Sequence, residues 1–536
     1  MPENKLQIRA KLLSAIADLQ VCNKENINVI AKIVASLRFI EDKNAVLEVL
    51  LKELSKDTNE QKTIIISFLI KELIDKEEIE KTVVKELVNP KLNDNIKTKL
   101  VNILRTIGHH VDYEEFSTYF ENPDEIINAD TTTLLNNAIV NPAAQIDFLD
   151  FINALPQNEQ EMLIASLNED YDGDNIANIL TPVILSKPYS QLAFQAIRYI
   201  GESKSQLALS ALNSVLEITD DAKICAQVQK SLSLLKLGGI KEDNTERFYK
   251  KMLADFPIFR CFASLPDGHG NIGIIVSRKT SNDLIQMFSI VLNDYDGIIE
   301  SFGFSEITVN EFNRIVTKFY SNGPIIPVPP EFCKFITENA EKLTRLKYDE
   351  ISYEYIAWKT LLKDVDYEEI NYCDYIEKTQ LTDLSLKQLY KKEYFSNWFF
   401  ETSDNDDFAS LIKELKPEDI LNCIDNLYDK VFTSEFLKVI DNRLKLTAYL
   451  LMFADQKEDA ETICSLTDDT QYKKEFLSDI LKKSIYEYFL NEREKYKNIK
   501  NSQSIFTKKR TDIEQIDIKY VENCINEIEK HWVEHE

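Results

Sequence analysis

Between Ile258 and Phe304 the chain changes its period, and this change constrains the fold more than any other feature. Elsewhere apolar residues recur at helical spacing; here they come in short runs divided by turn residues. Six of the 11 glycines lie between Gly268 and Gly323, and four of the 14 prolines lie between Pro324 and Pro330. The pattern predicts strands at Ile258–Ser264, Ile272–Lys279, Leu284–Asn293 and Ile298–Phe304, with turns at Leu265–Asn271 and Asp294–Gly297. Leu284–Asn293 is apolar on both alternating faces and reads as a covered, central strand. Thr308 and Glu311 form a capping box that opens a helix to Phe319. The expectation is a four-stranded antiparallel meander with a helix packed on it, a small α+β module. The proline-rich text Gly323–Pro330 must run extended, either as a wall of that module or as a linker.

The flanking text is helical. Val29, Ile30, Ile33, Val34 and Leu37 mark one apolar face, and Ile64, Ile65, Phe68, Leu69 and Leu73 another. Three helices end alike, at Ile107-Gly108, Ile200-Gly201 and Leu237-Gly238, where glycine can take a left-handed cap conformation at little cost. These glycines recur at about one and two units of a ~40–47-residue helical pair. The clearest unit combines Leu192, Ala193, Ala196, Ile197 and Ile200 with Ala208, Leu209, Leu212, Val215 and Leu216; its alanines let paired helices approach closely.

This pattern resembles a HEAT repeat of the bacterial type also found in phycobilisome-lyase-like proteins, most clearly over residues 188–239. The resemblance implies an α-solenoid and a scaffolding role, and assigns no catalytic residue. The expected organisation is a mainly α protein: a HEAT-like solenoid over 1–240, the small α+β module over 245–335, and a C-terminal helical domain over 336–536.

A chain of 536 residues with 44% hydrophobic and 29% charged residues has globular composition and can bury a large core. Its net charge of −27 argues against a sequence-independent grip on nucleic acid and against anionic membrane surfaces. The acidic balance suits a protein partner with basic patches. The eight cysteines are scattered without a CxxC, as buried thiols in a reducing compartment would be. The opening MPENKLQIRAKLL has no h-region and does not read as a signal peptide, and no window approaches 18 apolar residues. A cytoplasmic protein is expected.

Chemistry is weakly signalled. In a meander the first and third turns share one rim, which would gather Asp267, His269, Asp294 and Asp296; Asp and Gly are also what tight turns demand. Arg278 and Glu300 are further ligand-binding candidates on the strands. Asp170, Asp172, Asp174 and Asn178 resemble part of a calcium loop, although Asn175 stands where an EF-hand has glycine and Thr181 where it has glutamate. No other cofactor is suggested. His109-His110 and the pair His531 and His535 read as incidental, and the basic run Arg493, Lys495, Lys497, Lys500, Lys508, Lys509 and Arg510 as a solvated face. No P-loop, G-x-S-x-G, H-E-x-x-H or dinucleotide-binding glycine run occurs. The functional expectation is a protein-binding scaffold or adaptor without evident catalysis. The alternative is an enzyme or a small-ligand or metal sensor with its site between the β-module and the C-terminal helices.

Overall fold

The computed structural model describes residues 5–21, 27–56, 60–109, 113–241, 253, 256–280, 282–319, 324–348, 350–396, 398, 412, 416–419, 424–502 and 518–533. It is mainly helical, with one small antiparallel sheet. The chain divides into two compact units, Met1–Asn137 and Ala138–Glu536. The helices expected to belong with the N-terminal text, from Pro142 to Leu237, therefore share a unit with the sheet and the C-terminal helices.

In the first unit the helices from Lys5–Val21 to Tyr113–Tyr119 enclose a continuous apolar core. The face of Glu60–Leu73 differs from the expectation. Ile66, Leu69, Ile70 and Leu73 are buried, whereas Ile64 is exposed and Phe68 lies at the margin. The run Ile64–Ile70 is apolar nearly all round, so its spacing alone cannot choose the buried side. Glu53 is buried beneath Lys56, Lys62 and Arg9; burial raises its carboxyl, but the three cations together hold it below its ordinary value.

In the second unit the helices Gln157–Asp170, Gln191–Ile200 and Ala222–Leu237 pack in one row, and Gly173–Ser186 packs with Gln206–Ile218 in another. Only Gly108 takes the predicted left-handed cap, at φ +76°; Gly201 and Gly238 are right-handed, and Gly239 takes positive φ instead. Gly201 is needed for space: a Cβ there would lie 2.5 Å from Cβ of Ser231 on the next helix.

The sheet has five strands, not four: β1 (Ile258–Ala263), β2 (Asn271–Lys279), β3 (Ile285–Asn293), β4 (Gly297–Ile307) and β5 (Ile326–Pro327), in the order β4-β3-β2-β1-β5. The proline-rich text is thus a wall of the module. Its short strand caps the β1 edge, where proline's missing N–H costs no ladder bond. The first four strands form the expected meander, and β3 is covered on both sides. Ile275, Ile285 and Met287 face the capped helix Val309–Phe319. The opposite face receives the helices Pro330–Lys347 and Tyr353–Trp358, with the Phe288 ring 6.3 Å from that of Tyr355. Gly303 makes this second layer possible. A Cβ at Gly303 would lie 2.2–2.5 Å from the Trp358 indole, so only a bare backbone lets the indole rest on β4.

Candidate functional site

Helix Tyr353–Trp358 is held between the sheet and the helices Pro142–Ala154 and Gly173–Ser186. Two backbone-directed bonds join Ser186 and Ile351, and Arg345 Nη1 donates to the Leu185 carbonyl at 2.9 Å. Beyond Trp358 the chain continues as the 3₁₀ turn Lys359–Leu362, which places Lys359 and Lys363 beside a cleft of about 410 Å³. Lys334 reaches the same cleft from Pro330–Lys347.

The facing walls follow from helical spacing. Asn178, Thr181, Pro182 and Leu185 form an i, i+3, i+4, i+7 stripe, and Leu207, Ser210, Ala211 and Ser214 form another. The first stripe contains an adaptation to its proline. Pro182 has no N–H for the Asn178 carbonyl four residues earlier, and the Gln145 side-chain amide donates to that carbonyl instead, at 2.6 Å. Asn178 in turn donates through Nδ2 to the Ile139 carbonyl at 3.1 Å. A small adjoining cavity shares Gln145, Asn178 and Thr360 and extends the polar lining to Gln286.

Charge is distributed unevenly around the cleft. Glu341 lies behind the wall and accepts from Lys359 at 2.8 and 2.9 Å, from Arg345 at 3.0 and 3.1 Å and from the Tyr355 hydroxyl at 2.9 Å. Burial pushes the Glu341 carboxyl up, yet Lys359 and Arg345 outweigh it and hold it at about 2. The same arrangement drives the Tyr355 phenol well above its ordinary value, by burial first and then by the Glu341 charge. Lys334 donates to the Val365 carbonyl and lies near the Tyr367 ring. Among the described residues, no hydrogen bond or ion pair engages the Lys363 amine. Burial, then the neighbouring Lys359 cation, lowers it to about 8, while Glu341 and Glu338 oppose the shift. Among the described residues, the cleft lining holds three lysines and no aspartate or glutamate. Such a site can neutralise an anion, donate hydrogen bonds to its oxygens and present an amine that is partly neutral near pH 8.

The residues singled out from the sequence serve other ends. Asp267, His269, Asp294 and Asp296 do share one rim. Asp267 accepts from the backbone of His269 and Asn271, which closes its turn. Asp294 pairs with Arg443, and Asp296 accepts from Lys347 and Tyr348. Arg278 lies at the other end of β2, buried, donating to the carbonyls of Leu361 and Phe256 and to Asp364. Glu300 is exposed on β4 and lines a second cleft with Lys347 and Tyr348, the partners of Asp296. Asp172 caps Gly173–Ser186, Asp174 accepts from Ser205, and Asn178 lines the cleft; the Asp170 side chain lies outside the described residues. Among the described residues, no three His, Cys, Asp or Glu side chains gather as metal ligands.

His109 meets Glu80 at 3.2 Å, while His110, His535 and the His531 side chain lie outside the described residues. Lys495 and Lys497 pair with Glu492 and Glu494, and Lys508 to Arg510 also lie outside. Sequence reasoning missed Lys334, Lys359, Lys363 and Arg443. In a chain with 63 basic residues, lysines at i and i+4 look like any solvated helical face. The mid-helix Pro182 was the one local irregularity pointing here.

No helix among the described residues is long and apolar enough to cross a membrane. No protein-family model matches the chain, and neither a curated protein nor a solved structure is detectably similar to it.

Proposed function

We propose that the second unit binds a small anionic molecule, bearing phosphate or carboxylate groups, in the cleft beside Lys334, Lys359 and Lys363. One observation carries this reading: among the described residues, three lysines and no carboxylate line a single cleft, in a chain whose net charge is −27. A cationic pocket in an anionic protein is a local exception that an oxyanion would use. The serines, threonine and amides of the facing stripes supply directional hydrogen bonds that would fix the ligand's orientation. Calorimetric titration with pyrophosphate and with citrate, at low and at 0.5 M salt, tests it. Saturable, salt-sensitive binding of either anion that falls at least tenfold in both Lys334→Met and Lys363→Met is the expected result. Absence of binding by both anions, or equal binding by the variants, overturns the reading. The stronger of the two anions identifies the ligand's acidic group.

The two-row packing of the helices between Gln157 and Leu237 supports a second reading, a HEAT-like stack that also serves as a protein-binding scaffold. One row already carries Tyr353–Trp358 from the same chain, so a partner with basic patches would meet the other row, Gln157–Asp170, Gln191–Ile200 and Ala222–Leu237. Charge reversal at two exposed acidic positions, Glu159→Lys on that row with Glu202→Lys in the turn that follows Gln191–Ile200, would release a partner captured by the full-length chain if this reading holds.

A further inference from the structure

We propose that Lys363 is a nucleophile that forms an imine with an aldehyde or ketone carried by an anionic molecule bound in this cleft, a step that rests on the anion-binding reading above. The inference begins from placement. Lys363 lines the cleft, its amine is engaged by no acceptor among the described residues, and two further lysines line the same space. A structural lysine in such surroundings would take an ion pair, as Lys359 does with Glu341 at 2.8 Å. Lys363 has none, and the charged groups acting on it are Lys359 and Lys334, which favour the neutral amine, and Glu341 and Glu338, which favour the cation. Burial adds to the first pair and brings the amine to about 8. A desolvated lysine beside another cation is the arrangement that activates an amine for attack on a carbonyl.

The roles divide accordingly. Lys334, with the N–H that Lys359 has left beyond its two bonds to Glu341, holds the anionic group and leaves the Lys363 nitrogen free to approach the carbonyl carbon. Its lone pair forms the new C–N bond, giving a carbinolamine. The two amine hydrogens and the former carbonyl oxygen then depart as one water, leaving the C=N bond. No oxidant or reductant is consumed. The ligand class is thus an anionic carbonyl compound, such as a phosphorylated aldehyde or an oxo-acid.

Pyridoxal 5′-phosphate is a suitable probe because it joins an aldehyde to a phosphate. The full-length protein would be incubated with it, reduced with borohydride and mapped by peptide mass spectrometry, with phosphate-free pyridoxal alongside. The expected result is modification concentrated on Lys363, at least tenfold above surface lysines. It should be stronger with the phosphorylated probe, suppressed by pyrophosphate, and half-maximal near pH 8. Lys363→Arg should lose the label at that position, and Lys334→Met should reduce labelling of Lys363 by the phosphorylated probe. Modification spread evenly over lysines, with pyrophosphate binding intact, overturns the imine while leaving the anion site standing. Equal labelling of Lys363 by both probes, unaffected by pyrophosphate, overturns the proposal as stated, because the anion would then play no part.

Discussion

Arg443 and Asp294 form a bidentate ion pair across 149 residues of sequence: Nε meets Oδ2 at 2.7 Å and Nη2 meets Oδ1 at 2.9 Å. The guanidinium also donates to the Gly268 carbonyl and lies over the Trp398 ring, whose Nε1 donates to Pro266 at 3.0 Å. This pair ties the shared rim of the first and third turns to the helix Ser434–Phe453. Arg443 is only 3% exposed, so removing its partner strands a buried charge. Asp294→Asn should therefore destabilise the second unit by about 3 kcal/mol. The double variant with Arg443→Met should lose less than the sum of the single losses. Denaturant unfolding of the four proteins measures this, and strictly additive losses would refute the coupling.

Gly303→Ala should disturb both packing and site. Its Cβ would meet the Trp358 indole at 2.2–2.5 Å, and Trp358 directly precedes Lys359. Overpacking of this kind costs about 1–3 kcal/mol. The variant should also bind pyrophosphate more weakly, whereas Val83→Ala in the core of the first unit should lose stability and keep binding. Comparing melting temperatures with calorimetric affinities separates the two effects.

Glu341 makes stability sensitive to acid. Its folded-state value of about 2 lies below its ordinary 4.5, so its contribution is complete above about pH 4.5 and is lost as pH falls toward 2. Glu341→Gln should cost on the order of 3 kcal/mol at pH 7, because Lys359 and Arg345 lose their shared acceptor. Urea unfolding at pH 7, 4 and 2.5 should show that difference shrinking. A deficit that stays constant down to pH 2.5 would contradict the assignment.

Lys363 should trade stability for function. Burial and Lys359 lower its amine from the ordinary 10.5 to about 8, so below pH 8 the folded protein bears the full cost of holding that charge. Between pH 8 and 10.5 the unfolded chain binds more protons than the folded one, and stability rises with pH. Lys363→Met should accordingly be more stable than the wild type at pH 7, by about 1–3 kcal/mol, with the advantage fading toward pH 10.5. Thermal melts across that range decide the matter; a variant less stable at pH 7 would be inconsistent with an unpaired, buried amine.

Much of the fold is legible before any coordinates. The strands at Ile258, Asn271, Ile285 and Gly297 follow from alternation and turn residues, and the Thr308–Glu311 capping box fixes the next helix start. These are local signals, expressed within a few residues of where they act. The β5 pairing was open because proline dictates an extended backbone without naming its neighbour. The buried side of Glu60–Leu73 was misjudged for the complementary reason: a helix apolar nearly all round has no preferred face until its neighbours choose one. The rim residues were placed correctly together, but the chemistry there is decided by Arg443, which the sequence puts among unremarkable helical text.

The sequence by itself determined the kinds of element, their order, the meander and an acidic surface, because periodicity, turn chemistry and charge are written in adjacent residues. Only the tertiary structure decided the cleft. Lys334 and Lys363 come from separate segments and face stripes more than a hundred residues earlier in the chain, and a lysine's surroundings, not its spacing, decide whether it is a solvated cation or an unpaired amine.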